Sequence, residues 1–336
     1  MRFEKITIGV DMVGCPNRCK HCWIGHFKNG KLTEEDLKDI AKSFRKYTDF
    51  LDVYSWFREL DYSENYKSLW MLDKELSKNS IPERFELLSF WRINRDEEYV
   101  KWAYEIGVRR CQLTFFGLEE KTDYYIGRKG AFKELINATE ILLENKIAPR
   151  WQMFVNKNNI HEVQKLIELS ENLNLKKRCR AIGEEFELFV HQGSCDGENE
   201  KLLNIRVTEE DLCYIPKEYG DRFGKPEKIL YRELIKDDSV LNLATKTPVF
   251  YITSEFDVYP NYTGIEEAWR LGNLKEDGLE KILNNYINNK SVAQHCRAII
   301  PFNEMVKEYG NSEGNKLFDK DDYVMYILNN YCRKLV

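Results

Sequence analysis

The chain has 336 residues, nine cysteines and a formal net charge of -5, with 43% hydrophobic and 32% charged residues. Such a length and composition suit one large or two moderate globular units with a well-filled core. No apolar run approaches the roughly 18 residues of a membrane span, and Lys and Arg are scattered among Asp and Glu, so neither a membrane nor nucleic acid is an expected partner.

In chain order, Lys5 to Met12 reads as a strand, and Thr33 with Asp36 forms a capping box that opens an amphipathic helix running to Tyr47. Phe50 to Trp56 predicts a second strand, Glu64 to Lys78 a helix, Phe85 to Trp91 a third strand, and Asp96 to Ile106 a helix ending at Gly107. Arg110 to Phe116 and Ala148 to Val155 follow as strands, with helices over Ala131 to Asn145 and Ile160 to Leu173 and a sixth strand over Phe186 to Gln192. Six strands alternating with helices imply parallel pairing through right-handed crossovers. Beyond Gly193 the alternation stops. A capped helix is expected from Thr208 over Val207 to Tyr214, a charged irregular connector over Phe223 to Thr247, and a hairpin over Pro248 to Pro260 turning at Thr253 to Phe256. Leu279 to Asn288 then predicts a helix with Leu279, Ile282, Leu283 and Ile287 on one face.

The chemistry is concentrated after the first strand, in Cys15-Pro-Asn-Arg-Cys19-Lys-His-Cys22-Trp23. Three thiolates on one loop can ligate three irons of a cubane and leave the fourth iron open. With His26, the same cysteines would alternatively close a tetrahedral zinc site. A disulfide framework is not expected: the cysteine count is odd, no apolar signal segment is legible in Met1 to Val10, and closely spaced cysteines in an intracellular enzyme bind metal or catalyse. A cytoplasmic, oxygen-poor setting is the expectation.

The spacing of three and then two residues, followed by an aromatic residue, resembles the motif of the radical S-adenosylmethionine (SAM) superfamily. That resemblance implies a 4Fe-4S cluster on Cys15, Cys19 and Cys22, SAM on the open iron, and reductive cleavage to a 5'-deoxyadenosyl radical that abstracts hydrogen from substrate. It also decides the fold class, which alternation leaves open between an open sheet and a barrel. The expected fold is an α/β chain with a partial (β/α)6 TIM-like barrel over residues 1–193, a connector over 194–247 and an α+β extension over 248–336.

Phe256-Asp-Val-Tyr-Pro260 and Arg270-Leu-Gly-Asn-Leu274 resemble the SPASM extension of peptide-modifying members, which often carries further clusters. Here Asn261 stands where the family has cysteine and no cysteine lies between Cys213 and Cys296, so a degenerate, cluster-free version is expected. Trp56-Phe-Arg-Glu59 occupies the place of the family's Gly-Gly-Glu motif without its glycines, and Glu59 is the matching carboxylate for the SAM ammonium. Gln112-Leu-Thr-Phe-Phe-Gly117 and the segment reaching Phe132 resemble the fourth strand and its loop. The matching SAM contacts there are Thr114 and Arg128, whose planar fork suits a carboxylate. Trp23 after the last cysteine and Asn156 at the end of the fifth strand complete the cofactor-binding set. Trp91, Arg92, His191 and Gln192 are further barrel-mouth positions.

Of the remaining cysteines, Cys111 reads as a small buried apolar residue, and Cys195, in a Gly-Ser-Cys-Asp-Gly loop past the sixth strand, is the candidate for returning hydrogen to a substrate radical. An auxiliary cluster from Cys179, Cys195, Cys213 and Cys296 is not expected, because no close pair nucleates it. The implied function is hydrogen abstraction from a peptide or small-metabolite substrate, with a flavodoxin- or ferredoxin-type reductant. The alternatives are a sugar- or amino-acid-directed enzyme, a fully ligated iron-sulfur electron carrier, and a zinc-stapled binding protein. The cysteine loop begins within fifteen residues of Met1, so no N-terminal peptide-binding winged helix is expected.

Overall fold

The computed structural model describes residues 1–261 and 264–336. Strand β1 (Ile6–Val10) leads through the cysteine loop into α1 (Glu34–Phe44), and β2 (Leu51–Tyr54) pairs parallel to β1 with Ile6 opposite Leu51. Helix α1 begins where the capping box places it: Thr33 Oγ1 accepts from the Asp36 amide at 3.1 Å, and the Asp36 carboxylate accepts from the Thr33 amide at 2.9 Å. Helices α2 (Tyr66–Leu76), α3 (Phe90–Ile93) and α4 (Glu97–Glu105) precede β3 (Arg110–Phe115). Then come α5 (Glu119–Ile126), α6 (Ala131–Glu144), β4 (Ala148–Phe154), α7 (Val163–Asn172), α8 (Leu175–Ala181) and β5 (Glu187–His191). Strands β3, β4 and β5 form a second parallel sheet, with Arg110 opposite Ala148 and Arg150 opposite Glu187. The two parallel blocks, with helices packed outside, make a partial TIM-like barrel.

The third strand expected over Phe85 to Trp91 does not form. Phe85 and Glu86 adopt left-handed backbone at φ 53° and 55°, which interrupts an extended run, and Ser89 caps α3 by accepting from the Arg92 amide at 3.3 Å. One bond of ladder type survives, from the Gln112 amide to the Glu86 carbonyl at 2.8 Å. Arg92 is buried and donates to the carbonyls of Asp61, Tyr62 and Ser63, so it ties loops together at this edge. Helices α5 and α8 were not expected from the pattern.

After β5 the chain forms a 3-10 helix over Gly197–Ile205 and a second over Glu209–Tyr214, the latter in place of the α-helix read from Thr208. A short α9 (Lys217–Gly220) and β6 (Lys225–Pro226) lead into α10 (Glu227–Leu234), so the connector is not irregular throughout; Leu230 and Leu234, one turn apart, bury its inner face. The hairpin forms as β7 (Val249–Ile252) and β8 (Asp257–Pro260), antiparallel with Ile252 opposite Val258. Strand β7 also pairs parallel to β1, with Thr7 opposite Val249 and Val10 opposite Ile252, so the late hairpin extends the first barrel sheet in the order β2-β1-β7-β8-β9, where β9 is Gly272–Asn273. Helices α11 (Leu279–Ile287), α12 (Val292–Ile299) and α13 (Phe302–Tyr309), strand β10 (Leu317–Phe318) paired with β6, and α14 (Lys320–Arg333) complete the chain. In α11, Ile282 and Leu283 are buried as expected, but Tyr286 takes the third inward place and Ile287 is exposed.

Candidate active site

Residues 11–32 leave β1 with almost no regular structure, and their backbone groups are satisfied by distant partners, as buried amides and carbonyls must be. The Asn29 side chain clips the backbone of one residue on both sides: Nδ2 donates to the Cys15 carbonyl at 2.9 Å and Oδ1 accepts from the Cys15 amide at 3.2 Å. The end of α5 holds the middle of the loop through amides of Arg18 and Lys20, which donate to the carbonyls of Ile126 at 3.3 Å and Tyr125 at 2.7 Å. Gly127 is required at that contact, since its φ is 75° and a Cβ there would lie 2.6 Å from the Arg18 carbonyl oxygen. On the other flank, the Glu198 amide donates to the Cys22 carbonyl at 2.9 Å and the Ile265 amide to that of Ile24 at 3.0 Å. The region after β5 and the C-terminal region thus both grip the cysteine loop.

Cys15, Cys19 and Cys22, each half-buried, line one cavity of about 250 Å³ together with Trp23, Arg58, Glu59 and Thr114. Burial pushes all three thiols above the ordinary range; at Cys19 the other two thiols add to the effect, and at Cys15 and Cys22 the nearby Arg58 charge opposes it. Thiols in such a setting ionise when a cation takes them as ligands. Among the described residues no three Cys, His, Asp or Glu side chains converge as ligands of a single ion. A cubane makes a different demand, because each thiolate binds its own iron, and three thiols lining one cavity are the kind of donor set it takes. His26 also lines this cavity, but its ring nitrogens face other partners, with Nε2 2.9 Å from the Cys19 carbonyl oxygen and Nδ1 3.7 Å from the Glu198 carboxylate.

Glu59 follows β2 and sits in the same cavity, where Ser89 Oγ donates to its Oε1 at 2.7 Å. Burial raises its carboxyl to about 7, against the pull of the Ser89 hydrogen bond. Thr114, on β3, lines the cavity and its Oγ1 lies 3.4 Å from Gln152 Oε1, which accepts. Trp23 forms the exposed rim, its ring 6.2 Å from that of Tyr251 on β7. Arg128 stands just behind the lining: Nε donates to Asn17 Oδ1 at 3.2 Å, and the guanidinium pairs with Glu134 at 2.7 Å. Asn156 belongs to a neighbouring, water-sized cavity with Phe154 and Gln192, and its Oδ1 accepts from Tyr125 Oη at 3.1 Å and from the Asn158 amide at 2.9 Å. Among the described residues only His21 borders both spaces, its ring wedged between Phe116 and Phe154 at 4.6 and 4.3 Å and held neutral by burial, which lowers it to about 3. Cys195 is 1% exposed in the apolar cluster of the C-terminal region, with Trp269 and Tyr323, and burial raises it to about 12; it does not line the cysteine cavity.

Two relationships escaped the sequence. Arg58 forms a buried ion pair with Asp11, which the absence of glycine before Glu59 could have flagged. Cys296 and Cys332, far apart in the chain, are in hydrogen-bonding contact: the Cys332 thiol donates, which lowers Cys296 and raises Cys332. A close cysteine pair therefore exists where none was expected, on α12 and α14.

A strand-loop cysteine trio facing one cavity of a partial barrel defines a class, and the family comparison agrees. Residues 10–169, a little under half of the chain, match the model described as Radical SAM superfamily, whose enzymes use a 4Fe-4S cluster and SAM; the matched stretch holds all three motif cysteines. The solved structures it resembles include native anSMEcpe with bound AdoMet, at TM-score 0.52 and 14% identity over 98% of this chain and 97% of that one. They include native anSMEcpe with bound AdoMet and Cp18Cys peptide, at TM-score 0.51 and 14% identity over 99% of each chain. They also include SuiB of Streptococcus suis bound to precursor peptide SuiA, at TM-score 0.50 and 13% identity over 94% of this chain and 75% of that one. No curated protein matches. At these identities the structural likeness speaks to the fold.

Proposed function

We propose that this enzyme abstracts hydrogen from a peptide substrate held where the barrel mouth meets the C-terminal region. The observation that carries the reading is the convergence of Cys15, Cys19, Cys22, Glu59 and Thr114 on one cavity, walled by described residues from five separate segments of the chain. When bound, the cluster and SAM supply reductive formation of a 5'-deoxyadenosyl radical. The chain supplies the rest: Cys15, Cys19 and Cys22 hold three irons, Glu59 accepts from the SAM ammonium, and Thr114 offers a hydroxyl across the cavity. Arg128 reaches the methionyl carboxylate by releasing Glu134, and Asn156 steadies Tyr125 beside the loop. Cytoplasmic location and a flavodoxin- or ferredoxin-type electron donor belong to the same reading. The peptide assignment is supported by anSMEcpe and SuiB, whose structures are described with bound peptides.

The test is anaerobic reconstitution with iron and sulfide, followed by iron counting, EPR of the reduced protein with and without SAM, and assay of 5'-deoxyadenosine. The expected result is about four irons per chain, an EPR signal altered by SAM, and loss of both colour and SAM cleavage in C15A, C19A and C22A. A colourless protein holding one zinc, or cleavage retained by the variants, overturns it.

A further inference from the structure

Arg58 stands where the superfamily's motif resembled by Trp56 to Glu59 has glycine, and the chain has built a buried site around it. Its side chain is 4% exposed and that of its partner Asp11 is 2% exposed. Nε donates to Asp11 Oδ2 at 3.0 Å, a second guanidinium nitrogen donates to the same oxygen, and Nη1 donates to the Phe27 carbonyl at 3.1 Å. The Phe27 ring lies under the guanidinium at 4.0 Å. Asp11 precedes the cysteine motif and Phe27 follows it, so one cation joins the two ends of the loop that carries all three thiols. The same guanidinium borders the thiol cavity, and it lies so near the loop that a Cβ on Gly14, the residue before Cys15, would be 2.7 Å from Nη2.

A cluster gains negative charge when it is reduced, and its potential responds to nearby fixed charge, hydrogen bonding and solvent exposure. A cation held in a nearly solvent-free pocket is weakly screened, so its field at the cluster is felt more strongly than that of a surface lysine. Because Arg58 borders the cavity while Asp11 stands behind it, the pair presents its positive end to the metal. Resting on the reading of the three cysteines as cluster ligands, we propose that Arg58 is a positioning residue that raises the reduction potential of the cluster, with Asp11 as the counter-charge that limits the effect. The electron itself comes from an external low-potential one-electron donor.

The experiment uses the full-length chain, reconstituted anaerobically, and measures the midpoint potential by EPR-monitored dithionite titration in the absence of SAM. Wild type must first hold a 4Fe-4S cluster; if it does not, the cofactor reading fails rather than this inference. With a cluster present, R58M is expected to shift the midpoint to more negative values, D11N to more positive values, and R58K to leave it near wild type. Opposite shifts in R58M and D11N are what a merely structural role would not produce. Unchanged midpoints, or shifts of the same sign, overturn the proposal. Should R58M fail to assemble a cluster, D11N and R58K decide it: a positive shift in D11N with R58K unmoved supports it, and any other pattern overturns it.

Discussion

Ser89 donates its hydroxyl to Glu59 Oε1 at 2.7 Å, and so joins the edge where a third strand was expected to the carboxylate that follows the second. Ser89 can do this because its backbone turns into α3 at this position rather than continuing extended. The carboxylate that matches the family's SAM ligand is therefore held by the very segment that departs from the regular barrel.

The raised carboxyl of Glu59 sets a pH dependence. Its value of about 7 exceeds the ordinary carboxyl value, so the folded chain binds a proton there more readily than the unfolded chain. Its contribution to stability is most favourable at low pH and declines as pH rises from the unfolded carboxyl value through about 7. SAM binding runs the other way, since only the carboxylate accepts from an ammonium with charge assistance. Isothermal titration of reconstituted protein between pH 6 and 8 should show SAM affinity rising with pH. E59Q should abolish the rise and weaken binding on the order of tenfold or more.

Asn29 serves both backbone groups of Cys15 with the two ends of its amide, and leucine cannot replace either bond. N29L should leave the fold intact but reduce iron retained after reconstitution, because half-buried Cys15 backbone groups left without their partner cost about 1–3 kcal/mol. Iron counting beside circular dichroism checks this; full iron retention in N29L would show that the clip is dispensable.

At Gly127, alanine meets two obstacles, the left-handed backbone and the Arg18 carbonyl oxygen. G127A should cost about 2 kcal/mol and lower the melting temperature. Because the strain falls on the cysteine loop, iron content should fall with it, which a substitution in a distant surface turn would not cause.

For Cys195, burial in the C-terminal cluster points to packing. C195A should retain cluster assembly and SAM cleavage while losing about 1 kcal/mol of stability. Loss of hydrogen return to substrate, read from deuterium incorporation in heavy water with stability preserved, would instead assign it the donor role the loop position suggested.

Elements whose signals are local were legible. The Thr33 and Asp36 cap, the alternating core residues of β3 and the helix from Ala131 follow from spacing alone, because their determinants lie within a few residues. The run from Phe85 to Trp91 misled because apolar content is shared by strands and by loops tucked against a core, and left-handed residues at its start leave no compositional trace. Helix α10 was masked by its charged outer face, although Leu230 and Leu234 carry the helical spacing.

By itself the sequence determined which donor atoms are on offer, since three cysteines at a strand's end supply thiols on one loop wherever that loop is folded. Tertiary structure decided what surrounds them: that β7 closes against β1, that Cys195 is buried elsewhere, that Arg58 meets Asp11, and that Ser89 reaches Glu59. Those relationships join residues 30 or more positions apart. They are chosen by packing and by the need to satisfy buried polar groups, which no local window of sequence contains.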